Sequence, residues 1–109
     1  MNTVFNPSYK ITENDLNVLV VDNDDMPVDP YKITYSIYKV SGRSSQELIT
    51  NLDLIPVKKE LGIYYPGGYQ VPGNSLGRYA IKWNIQLTVD CPSKVLVQEF
   101  TVIRYELGE

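Results

Sequence analysis

Asp22, Asn23, Asp24, Asp25 and Asp29 crowd into residues 22–29, the densest group of side-chain oxygens in the chain. Calcium takes about six to eight oxygen ligands, and acidic loops between strands can supply them. Asp22, Asp24, Asp25 and Asp29 are therefore the candidate calcium ligands. Their spacing is not that of an EF-hand, which also needs a glutamate at its twelfth position. Asp and Asn also hydrogen-bond their own backbone in turns, and that chemistry alone explains these residue types.

Other chemistry is sparse. The chain has no histidine, which removes the commonest general base and the usual nucleophilic dyads and triads. Its single cysteine, Cys91, precedes Pro92 with no visible group to stabilise a thiolate. Glu47, Asp53 and Glu60 cannot be placed as a glycosidase pair, which needs two carboxyls across a cleft. Neither a phosphate-binding glycine loop nor a zinc-type spacing occurs. No catalytic residue, metal centre or cofactor is expected, and the chain reads as a non-enzyme.

Aromatic residues offer the remaining candidates. Tyr64, Tyr65 and Tyr69, with Trp83, resemble a sugar-stacking platform in composition. Trp83, however, belongs to the series Tyr79, Ile81, Trp83, Ile85 and Leu87, whose strict period of two places it in a core. That leaves Tyr64, Tyr65 and Tyr69 at the surface, beside the Pro66-Gly67-Gly68 interruption. Tyrosine is enriched at protein interfaces, so these three are interaction candidates. Phe5 and Tyr9, on a polar N-terminal stretch, join them.

The elements that must carry these residues are strands. Leu16, Val18 and Val20 alternate with Asn17, Leu19 and Val21 in a first strand over Ile11–Asp22. Residues 22–30 turn the chain. Ile33, Tyr35 and Ile37 share a face of a second strand over Tyr31–Val40, before a turn at residues 41–45. Gln46–Glu60 is ambiguous, with room for short strands or a crossover; Pro56 would break a helix there. Strands follow over Gly62–Val71, Gly77–Val89 and Lys94–Tyr105. In the last, Phe100 and Val102 point inward and the pattern slips at Gln98-Glu99. About seven short strands with regular turns predict a single antiparallel β-sandwich, most readily immunoglobulin-like. A barrel shares the same period and stays open as an alternative. The expected organisation is an irregular arm over residues 1–10, a domain over 11–106 and a tail over 107–109.

Composition bounds the partners. At 109 residues the chain makes one domain. Its net charge is −3, and of its scattered cations only Lys58 and Lys59 are adjacent. It thus lacks the basic stripe of a nucleic-acid binder. No apolar run approaches the length that spans a bilayer, and the opening residues lack a signal-peptide pattern. One cysteine precludes an internal disulfide, which suits a reducing compartment.

Gly62, Tyr64, Tyr65, Val71, Pro72, Leu76, Gly77, Tyr79, Ile81 and Trp83, followed by Gln98, Glu99, Phe100 and Val102, form a pattern that resembles small immunoglobulin-like proteins of tailed-bacteriophage particles. Asp29–Tyr38 has the same style, and the resemblance spans roughly residues 12–103. It implies a non-enzymatic virion component, an accessory or decoration protein on head, neck or collar. Its implied partners are other virion proteins (capsid, portal or neck) in a symmetric assembly of many copies, without nucleic acid or membrane. Assembly in the host cytoplasm would fit the absence of disulfides. The alternative is a carbohydrate- or calcium-binding adhesive module built on the acidic turn and the Tyr64–Tyr69 loop.

Overall fold

The computed structural model describes residues 3–5, 9–41, 45–48, 53–67 and 76–103. Eight strands run through them: β1 (Thr3–Phe5), β2 (Val18–Leu19), β3 (Lys32–Ser41), β4 (Ser45–Leu48), β5 (Val57–Glu60), β6 (Ile63–Tyr65), β7 (Gly77–Gln86) and β8 (Lys94–Val102). There is no helix among the described residues.

Two sheets result. The larger has the order β1-β8-β7-β3-β4 and the smaller β2-β6-β5. All pairings are antiparallel except β1 with β8, which is parallel. The period-two series of the sequence explains the central strands. Ile33, Tyr35 and Ile37 of β3 stand opposite Ile85, Trp83 and Ile81 of β7, and directly opposed residues share a face. Tyr79 in turn lies opposite Phe100 of β8. The two rings stack with centroids 5.3 Å apart. Val18 and Tyr64 from the smaller sheet, with Val20 just after β2, complete one core with Tyr35, Ile37, Tyr79, Ile81, Trp83, Phe100 and Val102.

Several expectations change. The N-terminal residues do not form only an irregular arm. Thr3–Phe5 adds a parallel strand to the larger sheet, in register with Phe100–Val102. Phe5 sits in the core with its ring edge-on to Phe100. The strand expected over Ile11–Asp22 is reduced to Val18–Leu19, because a turn closed by Asp15 N–H on the Thr12 carbonyl occupies its start. Leu16, Val18 and Val20 nevertheless face inward. The strand expected from Gly62 ends at Tyr65, just before Pro66, which has no N–H to give a ladder.

Pairing of β7 with β8 is continuous through Ile81↔Gln98 and Ala80↔Glu99, so the apparent slip in the sequence is no slip in register. The ambiguous stretch contains β4 and β5. Between them Leu54 exchanges two backbone hydrogen bonds with Tyr35, which carries the chain along β3 before it crosses to the smaller sheet. The expected tail, 107–109, lies outside the described residues.

Candidate interaction surface

The acidic run resolves into two separate jobs. Asp22 shapes a turn: its Oδ1 accepts from the backbone N–H of Asp24 at 2.8 Å and of Met26 at 3.1 Å. The Asp22 N–H donates to the Met26 carbonyl, and Asp25 N–H donates back to the Asp22 carbonyl. Asp25 takes a left-handed φ of 61°, which short polar side chains tolerate better than most. Asp24 and Asp25 are exposed on this turn.

Asp29 works elsewhere. Its Oδ1 accepts from the Tyr64 hydroxyl at 3.0 Å and from the Gly62 N–H at 3.0 Å, while its Oδ2 pairs with the Lys58 ammonium. One carboxylate thereby joins the end of the acidic loop to both β5 and β6. The Lys58 bond is the leading cause that holds its carboxyl below the ordinary aspartate value. Burial first, then the hydrogen bond to Asp29 and the Asp29 charge, push the Tyr64 hydroxyl up. Among the described residues, no group of three or more His, Cys, Asp or Glu side chains is arranged to hold a metal ion.

The aromatic candidates separate as well. Tyr64, expected at the surface, is turned into the core at 9% exposure. The reason is strand parity. Tyr64 pairs with Val18, an inward residue, and its hydroxyl finds a partner in Asp29. Phe5 is likewise buried. Tyr9 is exposed and stacks on Phe5 with centroids 5.0 Å apart, and its hydroxyl reaches Asp15 Oδ2 at 3.2 Å. Tyr69 lies outside the described residues. Cys91 is exposed in a turn where its N–H donates to the Thr88 carbonyl.

Tyr65 alone of the Tyr64–Tyr69 group is placed on an outer face. It stands opposite Val57 of β5, while Ile63 stands opposite Leu19 of β2. Inward Val18 and Tyr64 fix these four residues on the other side of the sheet. Leu19 is 55% exposed and Val57 41%, with Ile63 and Tyr65 half-buried. The outer face of the smaller sheet therefore carries these four apolar residues across all three strands, with exposed Glu60 opposite Ile63 at its edge. Gly67 passes so close to this face that a Cβ there would lie 2.0 Å from the Val57 Cγ2. Exposed Leu61 lies at the other end of the sheet, in the turn between β5 and β6.

The sequence reading missed Leu19 and Val57. A signal was present: Leu19 and Val21 are apolar at positions that alternate with an inward series, where a solvated face would carry polar residues. On the larger sheet an open depression of about 270 Å³ is instead polar, lined by Lys32, Thr34, Asp53, Asn84, Gln86 and Ser93. Its Thr34 hydroxyl donates to Asp53 Oδ1 at 3.3 Å. No family model matches the chain, and neither a curated protein nor a solved structure shows significant similarity to it.

Proposed function

We propose that the chain is a non-enzymatic accessory structural protein of a tailed-bacteriophage particle, an immunoglobulin-like sandwich that docks onto head, neck or collar proteins. The observation that carries this reading is the outer face of the smaller sheet, where Leu19, Ile63, Tyr65 and Val57 form an apolar stripe bordered by Glu60. Contiguous exposed apolar patches mark interaction sites, whereas singly scattered apolar residues need no such explanation. An aromatic residue within such a patch suits an interface core.

The strand order supports the immunoglobulin-like part. If β2, β3, β5, β6, β7 and β8 are taken as strands B to G of that fold, one sheet holds B-E-D and the other C-F-G. β4 extends the second sheet beside β3, and β1 departs from the constant-type arrangement by joining β8. The chain also lacks the inter-sheet disulfide of antibody domains, since it has one cysteine. The sequence pattern from Gly62 to Val102 supports the virion part. In a symmetric shell or ring, weak contacts through one small stripe add up by multivalency.

The test is fractionation of native particles with antibody detection of this chain. Co-sedimentation at a fixed ratio to a major virion protein, lost in a Leu19→Ser/Tyr65→Ser variant that still folds, is the expected result. A protein found only as free chains, never in particles, overturns the proposal.

A further inference from the structure

The larger sheet leaves part of one edge open. β1 covers β8 only from Phe100 to Val102, so Lys94 to Glu99 has β7 on one side and no described strand on the other. The direction of its backbone groups follows from a bond just beyond β8: the Ile103 N–H donates to the Phe5 carbonyl on the β1 side at 3.1 Å. Polar groups of alternate residues point to the same side of a strand. Val95 and Val97 therefore aim their N–H and C=O groups out of the open edge. The usual protections of such an edge are charged side chains, proline or a bulge. None interrupts Val95-Leu96-Val97, whose side chains are 60%, 42% and 47% exposed.

We propose that this edge pairs with a second copy of the chain, β8 against β8, antiparallel about a two-fold axis through Leu96. This pairing concerns the chain itself and does not rest on the virion reading. Three constraints select the register. A two-fold contact is isologous, so a residue set opposite another recurs with the roles exchanged; about Leu96 the opposed residues, Val95, Leu96 and Val97, are all aliphatic. Residues opposed in a continuous sheet must share a face. The outward-pointing groups must meet each other.

With Leu96 on the axis, Val95 faces the partner's Val97 and exchanges both backbone bonds with it. The symmetric pair does the same. Leu96 meets the partner's Leu96 on the inner face. With Val97 on the axis, Val95 would instead oppose the partner's Glu99. Leu96 would then oppose the partner's Gln98, a residue whose counterpart in this chain is already committed to Trp83 and Asn17. The Leu96-centred register avoids both mismatches. The open stretch also ends where β1 begins to cover β8, which leaves room for the partner's strand and limits the contact to it.

The experiment combines sedimentation with site-directed cross-linking on the full chain. The wild type is expected to be a dimer that dissociates on dilution, with Leu96→Glu raising its dissociation constant at least tenfold by setting two like charges face to face. In a Cys91→Ser background, Leu96→Cys is expected to give an oxidised dimer, because opposed residues at a non-hydrogen-bonded position have Cα atoms about 4.5 Å apart. That variant keeps the fold testable if Leu96→Glu unfolds. A monomer at every concentration overturns the proposal. So does cross-linking through Val97→Cys but not Leu96→Cys. Protection of the Val95 and Val97 amides from exchange only when a different protein is added also overturns it.

Discussion

The Trp83 indole N–H donates to Gln98 Oε1 at 2.8 Å, and the Gln98 amide nitrogen donates onward to the Asn17 carbonyl at 3.0 Å. Trp83 and Gln98 lie on β7 and β8 of the larger sheet, while Asn17 immediately precedes β2 of the smaller one. The glutamine thus satisfies the one polar atom of a fully buried indole and ties the two sheets together with the same side chain. Gln98→Leu removes both bonds and leaves a donor and an acceptor unpaired. A loss of about 2–3 kcal/mol is expected in urea unfolding followed by Trp83 fluorescence, because an orphaned buried polar group forfeits its hydration without replacement.

Asp29 makes stability depend on acid. Its folded carboxyl titrates below its ordinary value of 3.8, first because of the Lys58 bond and then the Gly62 N–H. The unfolded chain therefore binds a proton more readily than the folded one. The stabilisation from this group is complete above the ordinary value and is lost as pH falls through the lower folded value. Asp29→Asn should flatten that part of the stability curve. Thermal unfolding of both proteins across that acidic range checks it; parallel curves would assign the acid loss to other carboxylates.

Gly62 cannot be replaced by alanine without distortion. Its φ is +78°, and a Cβ would stand 2.7 Å from the Val20 carbonyl oxygen. That oxygen accepts from Val28 N–H, while Gly62 itself accepts from Val20 N–H and donates to Asp29. The left-handed backbone and the backbone clash together should cost about 2–4 kcal/mol in Gly62→Ala. Denaturant midpoints compared with Gly77→Ala are informative. Gly77 has a φ of +131°, which L side chains rarely adopt, but a Cβ there would meet only the Lys39 Cε at 3.8 Å, so its loss should come from backbone strain without a clash.

Phe5 should behave as a core residue despite its place near the start of the chain. It is 4% exposed, between Tyr9 and Phe100. Phe5→Ala is expected to cost about 3–5 kcal/mol, the usual range for emptying a buried aromatic site. Tyr9→Ala, which removes an exposed ring from the same stack, should cost much less. Equal losses in calorimetry would contradict this ranking.

The long strands were legible because nothing competed with their alternation. Tyr35, Ile37, Tyr79, Ile81, Trp83, Phe100 and Val102 are all buried where period two puts them. Gln98 misled because a polar residue at an inward position looks like a register slip; its role depends on an indole and a carbonyl from distant segments. Tyr64 misled for a related reason. Tyrosine suits either face, and what turns it inward is the Val18 pairing plus an Asp29 acceptor. Asp22 could be read as a turn residue because its partners are two and four residues away. Asp29 could not, since Lys58, Gly62 and Tyr64 all lie far along the chain. β1 was invisible because three residues are too few to show a period, and its ladder exists only when β8 does.

That dependence of β1 on β8 has a consequence for synthesis. Thr3 to Phe5 leave the ribosome long before Phe100 to Val102, the strand they pair with among the described residues. Closing so long a loop is entropically costly and slows folding. Until then Phe5 has no Phe100 to pack against. Completion of the larger sheet is a late event, and a chain stalled before Phe100 would keep its N-terminal strand available to chaperones or to proteases.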